Sequence, residues 1–583
     1  MTRPPAVLMN TAAARTARAP WALVALLGVI LATCLVVRAW MGRDRALLDG
    51  LVAVGSEIDD PPSRSAALPL RRYPTIEAPD RVAVGETFTV LASLTRELIT
   101  PETGERPQTM DLPPDEEWEL DVVLAVRGFE IIDGNEKRIR MTAGGDSTPA
   151  RFRLQAVDGF ALPHPSSLRV TYWHKGAFIL GASRPIVVGE PLRTTQVTDA
   201  TQGMRPRASR ETAPLDLGAP AADLTIYHWG SHVILRSPHL TSPVTELYEP
   251  DGALFAWLDQ RVARLAQLDR ARGVSVEPES QDPARVAVGI GRDLFKRLAP
   301  AAFQTSYWQL IDAGVPSPFT IQVFTDDPRI PWELMRPTRS GDSEEHGFLG
   351  LRHTVARAHL RPEASTQGRP AATLRLAGLT TIAPRYDPPL VGAQEEQRML
   401  LALTDEIGPV QAVEGSYAAV TQALDAFEDG ILHYSGHGEV LEDSTRGTRF
   451  GLVLDDGLLE AIAFRGAPSI GDRGHPFVFV NACEVGGSEG AGGYVDGWAP
   501  AVLDAGASGF MGALWSVDDL AAVRFSTEFY RLLVSGIDEG VPIAEAVRAA
   551  RCLYESDPNP SYLAYVFYGD VSMTAGATNA RAR

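Results

Sequence analysis

Two short stretches decide the fold of this chain: Ile431–Gly438, with the sequence ILHYSGHG, and Phe477–Gly486, with the sequence FVFVNACEVG. Each begins as a short apolar run of strand character. Each then reaches a residue that can do chemistry, His437 in the first and Cys483 in the second. In an open α/β sheet, functional groups collect just beyond the carboxyl ends of neighbouring strands. The two stretches therefore predict a thiol nucleophile and an imidazole base at one edge of a sheet.

The residues around His437 allow more than one interpretation. Gly436 and Gly438 would let the chain turn sharply off a strand, and the Gly438 N–H suits a developing oxyanion. The alternative is an ordinary core histidine in a tight turn. A zinc site formed by His433 and His437 is disfavoured. Histidines four residues apart can bind one zinc ion when they lie on a helix, but this stretch has strand character and its glycines break a helix.

Cys483 also has a plain alternative, since free cysteines are among the most buried residues. Its position, where an apolar run ends and Glu484-Val-Gly-Gly487 begins, predicts partial exposure instead. His437 lies 46 residues upstream, an order and distance that resemble the caspase arrangement. A neighbouring imidazolium would lower the thiol pKa from its usual value of about 8.5 towards neutral, which favours the reactive thiolate.

Composition limits the classes of protein. With 583 residues, 45% hydrophobic and 22% charged, the chain reads as globular with several domains. A formal net charge of −19 argues against nucleic acid as a partner, because phosphate binding needs a basic face, and it leaves a basic peptide or protein open. The three cysteines, Cys34, Cys483 and Cys552, form no visible disulfide framework.

The N-terminal segment Ala19–Val37 runs for 19 residues without a charge. A helix needs about 20 apolar residues to span a bilayer, and Trp21 and Trp40 stand near the two ends, where interfacial aromatics belong. A cleaved signal peptide is the alternative, but no small-residue cleavage site follows cleanly. We therefore expect a single-pass membrane anchor. Arginines on both sides leave its orientation undetermined.

Short alternating segments follow from about Tyr73. Glycine, proline, aspartate and asparagine separate them, a pattern typical of an antiparallel sandwich in the immunoglobulin style. No set of ligands or nucleophiles stands out, so a binding or spacer role is the default. The predicted strands are Val82–Leu94, Trp118–Val126, Arg138–Thr142, Arg151–Ala156 and Ser167–Trp173.

From Asp223 to about Gly569 strands alternate with helices, which predicts a mostly parallel sheet with helices on both faces. The predicted strands are Leu224–Ile226, His232–Leu235, Thr320–Phe324, Leu374–Ile382, Val410–Val413, Ile431–Ser435, Phe477–Ala482 and Ser508–Trp515. The predicted helices are Ala253–Arg272, Gly291–Leu298, Gln394–Leu403, Tyr417–Phe427, Trp498–Ala505, Leu520–Val534 and Pro542–Tyr554.

An ordered set of motifs makes this region resemble a CHAT domain, of the caspase–separase clan of cysteine peptidases. The resemblance runs from about Asp223 to Asp570, some 60% of the chain. Asn481-Ala-Cys-Glu484 departs from the caspase Gln-Ala-Cys signature. The motifs are Ile330-Pro-Trp-Glu-Leu334, Ala393-Gln-Glu-Glu396, Ile431–Gly438, Asn481-Ala-Cys483, Gly506-Ala-Ser-Gly509, Leu514-Trp-Ser-Val-Asp-Asp519, Phe525–Leu533, Ala544–Arg551 and Tyr568-Gly-Asp570.

The resemblance implies roles for particular residues. His437 and Cys483 would form the catalytic dyad, and the backbone N–H groups of Gly438 and Cys483 the oxyanion hole. Separase relatives hold a basic P1 side chain with an acid in a similar Trp-containing stretch, so Asp518 and Asp519 are the substrate-binding candidates. The plainer interpretations of these acids are a helix N-cap and a solvated carboxylate. Trp332, Glu333 and Trp515 are expected to serve packing and orientation.

The leading hypothesis is a membrane-anchored, caspase-like cysteine endopeptidase that needs no cofactor or metal. Its partners would be a protein or peptide substrate and a protein activator. By analogy, the candidate activation loops are Glu439–Phe450 and Glu484–Gly497. The alternatives are a catalytically idle CHAT scaffold that recruits partners through its β-sandwich, and acyl transfer or hydrolysis on a non-peptide substrate. The predicted layout is a tail 1–18, a transmembrane helix 19–37, a linker 38–72, a β-sandwich 73–189, a linker 190–222, a CHAT domain 223–573 and a tail 574–583.

Overall fold

The computed structural model describes the chain from residue 68 to residue 577, with gaps. The described ranges are 68–97, 108–112, 117–142, 144–157, 166–189, 215–216, 220–250, 252–270, 283–341, 346–360, 366–368, 370–427, 429–443, 447–467, 470, 474–484, 493–515, 517–555 and 560–577. The predicted tail 1–18, the predicted transmembrane helix 19–37 and most of both predicted linkers lie outside them. Within these ranges, no helix combines the length and the apolar composition needed to cross a membrane.

Alternation of polar and apolar residues builds the N-terminal strands. In Ala150–Ala156, for example, Phe152 and Leu154 are buried whereas Arg151 and Arg153 face solvent. The strands of this region are β1 (Leu68–Glu77), β2 (Arg81–Val82), β3 (Thr87–Thr95), β4 (Gln108–Leu112), β5 (Glu117–Arg127), β6 (Phe129–Ile131), β7 (Glu136–Thr142), β8 (Ala150–Ala156), β9 (Ser167–His174), β10 (Ala177–Pro185), β11 (Val187–Val188) and β12 (Leu215–Asp216).

Most of these strands form two sheets that pack against each other, and β2 pairs with β11 in a separate two-stranded parallel sheet. One has the order β12-β4-β1-β3-β8-β6, and the other contains β10-β9-β5-β7. The longer strands pair antiparallel, for example β3 with β8 and β5 with β9. Both sheets contribute to one hydrophobic core, with Val90 and Phe152 from the first sheet and Leu124 and Val170 from the second. The N-terminal region is thus a layered β-sheet structure.

The C-terminal region is organised around one large mixed sheet. Its order is β15-β14-β13-β16-β17-β27-β26-β25-β22-β20-β21, and β23 and β24 extend from β22. The remaining strands are β13 (Leu224–Trp229), β14 (His232–Arg236), β15 (Val244–Leu247), β16 (Thr320–Thr325), β17 (Thr354–His359), β18 (Thr366–Gly368), β19 (Thr373–Leu376), β20 (Leu379–Ile382), β21 (Val410–Val413), β22 (Ile431–Asp443), β23 (Gly447–Val453), β24 (Leu458–Glu460), β25 (Phe477–Glu484), β26 (Gly509–Ala513), β27 (Tyr565–Tyr568) and β28 (Thr574–Ala577).

Most neighbours in this sheet run parallel, including β13–β16, β16–β17, β20–β22, β22–β25 and β25–β26, whereas β26–β27 is antiparallel. Strands β26 and β27 are buried at every position, so the sheet is covered on both faces there. The helices are α1 (Gly252–Arg270), α2 (Pro283–Arg297), α3 (Ala301–Asp312), α4 (Leu349–Arg352), α5 (Val391–Leu401), α6 (Thr404–Ile407), α7 (Tyr417–Ala426), α8 (Ile462–Gly466), α9 (Gly493–Ala505), α10 (Asp519–Gly536) and α11 (Ile543–Cys552).

Two predicted elements need correction. The single strand predicted at Leu374–Ile382 is two strands, because the chain bends at Gly378 with a positive φ of 144°. A Cβ at that glycine would lie 2.5 Å from the carbonyl oxygen of Pro409. Helix α3 and strand β17 were not predicted at all.

The sharp turn predicted at Gly436–Gly438 is also wrong. Strand β22 continues through His437 to Asp443 and forms an antiparallel hairpin with β23. The segment Glu439–Phe450, expected to be a loop, therefore supplies most of this hairpin, with a gap in the described residues at 444–446. Of the other expected loop, Glu484–Gly497, residues 485–492 lie outside the described residues and helix α9 begins at Gly493.

The β-sheet region and the large mixed sheet share a second hydrophobic cluster. Phe178 of β10 lies with its ring centroid 4.4 Å from that of Phe324 and 5.1 Å from that of Tyr227, both in the mixed sheet. Arg236 of β14 makes ion pairs with Asp121 of β5 and, at 2.6 Å, with Glu136 of β7. The short strand β18 adds to the N-terminal region by pairing with β10. The two regions are therefore packed together through apolar and charged contacts.

Candidate active site

Strands β22 and β25 bring the two candidate catalytic positions side by side. They pair in parallel register, with His433 opposite Phe479, Ser435 opposite Asn481 and His437 opposite Cys483. Neighbouring strands lie about 4.8 Å apart in a sheet. The Cys483 side chain lies outside the described part of the chain, so the register concerns its backbone. The two backbone positions therefore lie opposite each other near the end of the parallel pairing, although β22 itself continues to Asp443.

Two tyrosines hold the backbone of His437. The His437 N–H donates to Tyr386 Oη at 3.0 Å, and Tyr434 Oη donates to the His437 carbonyl oxygen at 2.8 Å. The Tyr386 ring also lies against the imidazole, with centroids 4.4 Å apart. A Cβ at Gly436 would stand 2.7 Å from Tyr434 Oη and closer still to Tyr386 Oη. Gly436 is thus required by the close approach of both tyrosines and not by a turn.

The imidazole of His437 is half-buried, and its environment favours the neutral form. Burial lowers the pKa of His437 below its ordinary value, and the negative charge of Asp519 opposes this effect in part. Its buried Nδ1 has no hydrogen-bond partner among the described residues. A neutral imidazole can accept a proton, which is what a general base beside a thiol must do.

The two candidate acids differ in environment. Asp518 is exposed and caps α10, because its Oδ1 accepts hydrogen bonds from the N–H groups of Leu520 and Ala521, each at 3.1 Å. Asp519 is partly buried, and its Oδ2 accepts from the Gly392 N–H at 2.9 Å. Burial raises the pKa of Asp519, although the Gly392 N–H and His437 act in the opposite direction. Asp519 is therefore the acid that interacts with the imidazole.

A buried polar network lies directly before the dyad positions. Its centre is Glu396 of α5, only 1% exposed, which accepts hydrogen bonds from Asn481 Nδ2 at 2.8 Å and from Ser435 Oγ. Asn481 Oδ1 in turn accepts from Tyr565 Oη at 2.9 Å. Burial alone would raise the pKa of Glu396, but the charge of His433 and the hydrogen bond from Ser435 lower it overall. Glu396 is thus a buried carboxylate.

His433 belongs to this network. It is fully buried, its Nδ1 lies 2.9 Å from Tyr530 Oη, and its Nε2 lies 3.1 Å from Glu396 Oε1, within ion-pair distance. The described residues contain no group of three or more His, Cys, Asp or Glu side chains placed to hold a metal ion. The position of His433 is that of a core residue in the strand that carries His437.

Gly438, the second candidate oxyanion donor, lies inside the sheet ladder. It is opposite Leu452 on β23 and opposite Glu484 on β25. The oxyanion hole formed by the N–H groups of Gly438 and Cys483 stays a prediction.

Sequence reasoning predicted His437 and Cys483 as the catalytic residues but did not predict the residues that surround them. Tyr386 and Tyr434 had no assigned role, and Glu396 was only part of a motif. A signal for Glu396 was present, because His433, Ser435 and His437 are spaced two residues apart and therefore share one face of a strand. Two polar residues on a buried face predict a buried partner. The packing role expected for Glu333 agrees with its ion pair with Arg357, which is fully buried.

Comparison with known proteins identifies the region that carries this site. Residues 320–569 match the family model described as the CHAT domain, and residues 77–159 match a domain of unknown function, DUF7363. Residues 320–569 of the α/β region therefore match the CHAT domain, and a β-rich region that matches DUF7363 precedes them. No curated protein matches the chain.

Solved structures similar to the chain include cysteine peptidases. The Arg-specific cysteine proteinase gingipain R is 10% identical with a TM-score of 0.31, over 55% of this chain and 75% of that chain. The Saccharomyces cerevisiae separase–securin complex contains a chain that is 13% identical with a TM-score of 0.29, over 56% of this chain and 23% of that chain. These similarities concern fold.

Proposed function

We propose that the CHAT domain of this chain is a cysteine endopeptidase in which Cys483 is the nucleophile and His437 its base. The observation that carries the proposal is the strand register, which sets His437 opposite Cys483 near the end of the parallel pairing between β22 and β25. The lowered pKa of His437 supports it, because an imidazole that is neutral near pH 7 can accept the thiol proton.

The chemistry follows from these two groups. His437 takes the proton of the Cys483 thiol as the sulfur bonds to the carbonyl carbon of the substrate peptide. The N–H groups of Gly438 and Cys483 stabilise the tetrahedral oxyanion. His437 then gives the proton to the leaving amine nitrogen as the C–N bond breaks, and water releases the acyl group from the sulfur. No cofactor takes part.

We also propose that Asp518 and Asp519 hold a basic P1 side chain of the substrate. Asp518 is exposed at the start of α10, and Asp519 interacts with His437, so both carboxylates stand at the same edge as the dyad. The chain carries a net charge of −19, which also favours a basic peptide. Anchoring by residues 19–37 and a protein activator remain further parts of the proposal. Release from membranes on deletion of 19–37 is the measurement that checks the anchor.

The test uses the full chain and a peptide library read by mass spectrometry. We expect Cys483→Ala and His437→Ala each to lower cleavage by at least about a thousandfold, because the two residues act as one unit. The matched control is Cys552→Ala, which removes the partly buried thiol of α11 and leaves cleavage intact. Cleaved peptides should carry Arg or Lys at P1.

Two results would count against this reading. Cleavage by Cys483→Ala at the wild-type rate would end the peptidase proposal. Cleavage that depends on Cys483 but follows Asp or an apolar residue would reject the acidic P1 site alone.

The second candidate is a catalytically idle CHAT scaffold. The observation that favours it is the position of Gly438 within the ladder, with strand neighbours on both sides. A thiol-directed peptide electrophile separates the two functions. Rapid labelling of Cys483 that requires His437 supports the enzyme, whereas labelling as slow as that of Cys552 supports the scaffold.

A further inference from the structure

We infer that Glu396 is a positioning residue that keeps His437 opposite Cys483, an inference that rests on the proposed peptidase function. Glu396 touches neither the substrate nor the dyad. It acts through Ser435 and Asn481, and each of these stands two residues before a dyad position on its own strand.

The contacts of Glu396 join the two strands. One carboxylate oxygen accepts from Asn481 Nδ2 on β25 at 2.8 Å, and the other accepts from Ser435 Oγ on β22. Ser435 and Asn481 are themselves register partners. A single side chain therefore crosslinks the strands one pleat repeat, about 6.6 Å, before the dyad positions.

This crosslink bears on the register of the dyad. Because side chains alternate along a strand, a slip of one residue would turn one dyad side chain to the other face of the sheet. A carboxylate has two acceptor oxygens in a fixed plane, so it satisfies both donors only when Ser435 and Asn481 lie side by side. The hydrogen bonds thus favour the register that pairs His437 with Cys483.

Further polar side chains lie around Glu396 and Asn481. Asn481 Oδ1 accepts from Tyr565 Oη at 2.9 Å, and His433 lies 3.1 Å from Glu396 and 2.9 Å from Tyr530 Oη. A buried carboxylate is expensive, and apolar residues of the same volume would often stabilise a core equally well. A requirement for one specific register between β22 and β25 explains why a carboxylate, Glu396, is buried beside Ser435 and Asn481.

The same helix face makes a second contact near the dyad. Gly392 lies four residues before Glu396, hence on the same face of α5, and its N–H donates to Asp519 at 2.9 Å. Asp519 interacts with His437. Helix α5 therefore contacts β22, β25 and the start of α10, the elements that surround the site.

The test measures alkylation of Cys483 by iodoacetamide near pH 7 in the full chain, with Cys552 of the same molecule as an internal reference. In Glu396→Gln one acceptor oxygen becomes an NH2 group and the negative charge is lost, so the Ser435 contact must reverse and both charge-assisted hydrogen bonds are weakened. We expect Cys483 labelling to fall by roughly 10- to 100-fold, since small displacements of reacting groups cost this much. Cys552 labelling should stay unchanged. The control is Glu395→Gln on the exposed face of α5, which should match the wild type.

Ser435→Ala is the second variant, because it removes one hydrogen bond without a buried carboxylate being neutralised. It should lower Cys483 labelling in the same direction, and combining it with Glu396→Gln should add less than its own effect. If Glu396 served only the general packing of the fold, its substitution would loosen that packing and raise the labelling of Cys552. Such a rise would count against a positioning role.

The outcomes separate the two proposals. If His437→Ala slows Cys483 labelling but Glu396→Gln does not, the positioning role is overturned and the peptidase proposal stands. If wild-type Cys483 labels no faster than Cys483 in His437→Ala, the peptidase proposal fails and the positioning role falls with it.

Discussion

The imidazole of His437 is held by its backbone more than by its ring. Tyr386 and Tyr434 bind its N–H and its carbonyl oxygen, while its buried Nδ1 finds no hydrogen-bond partner among the described residues. The two hydrogen bonds fix the position of the His437 backbone within β22.

The environment of the ring leads to a titration prediction. In the Cys483→Ala variant, where no thiol is coupled to the ring, we expect His437 to titrate below about 6.5, the ordinary histidine pKa, because burial disfavours the imidazolium. Asp519→Asn in the same background should lower the pKa further, because it removes the negative charge that favours the imidazolium. NMR titration of the imidazole protons measures both shifts.

Asp518→Asn is the matched control for this titration. Asp518 is next in the chain to Asp519, but its carboxylate is exposed to solvent, which screens its charge, and it caps α10. The His437 pKa should therefore stay where it is in that variant. A His437 pKa above 6.5 in Cys483→Ala, or a rise on Asp519→Asn, would contradict the electrostatic account.

Among the helices, α5 and α10 meet at a contact that only glycine permits. A Cβ at Gly392 would overlap the Asp519 carboxylate, with its Cγ 2.5 Å away. The Gly392 N–H can donate to Asp519 only because this space is empty. The start of α10 is further secured by the Asp518 cap.

We expect Gly392→Ala to lower the free energy of unfolding by about 1–3 kcal/mol, the usual cost of overpacking. The loss should shrink when Asp519→Ala is also present, because the clash is then removed. The control is Gly289→Ala in α2, where nothing lies within 4 Å of the added carbon. That change should stabilise the chain by about 0.5–1 kcal/mol, the helix preference for alanine. Urea unfolding gives the values, and equal effects at the two glycines would refute the steric argument.

Strands with a clear local pattern of residues were predicted with nearly correct bounds. The strand predicted at Val410–Val413 has the bounds of β21, and Arg151–Ala156 differs from β8 by one residue. The errors arose where a distant contact decides the backbone. Strand β22 continues past Gly436 because β23 pairs with it, and Leu374–Ile382 breaks because β19 pairs with β28. A local pattern carries no information about such partners.

On the scale of the whole molecule, the β-sheet region is bound firmly to the CHAT domain. Phe178, Tyr227 and Phe324 form part of one apolar cluster, and Arg236 bridges to Asp121 and Glu136. The sequence predicted a linker at 190–222 between the two regions, and it did not predict their contact. These apolar and charged contacts restrict motion of the β-sheet region relative to the site.

We expect Phe178→Ala to destabilise the full chain by about 3–5 kcal/mol, because it opens a cavity in the shared cluster. The control is Val187→Ala in the same region, where the side chain is 51% exposed and the change should cost little. Calorimetry of the full chain measures both. If Phe178→Ala leaves the transition of the CHAT domain in place, the shared cluster does not couple the two regions.

By itself, the sequence determined the β-rich and α/β regions, the strands β22 and β25 and the pairing of a histidine with a cysteine, because periodicity and strand-end chemistry are local properties. Only the tertiary structure decided which groups surround that pair. Glu396, Tyr386 and Asp519 come from separate segments, and folding alone brings them to His437. Their roles depend on burial and on distances of a few ångströms, and neither quantity is written in the order of residues along the chain.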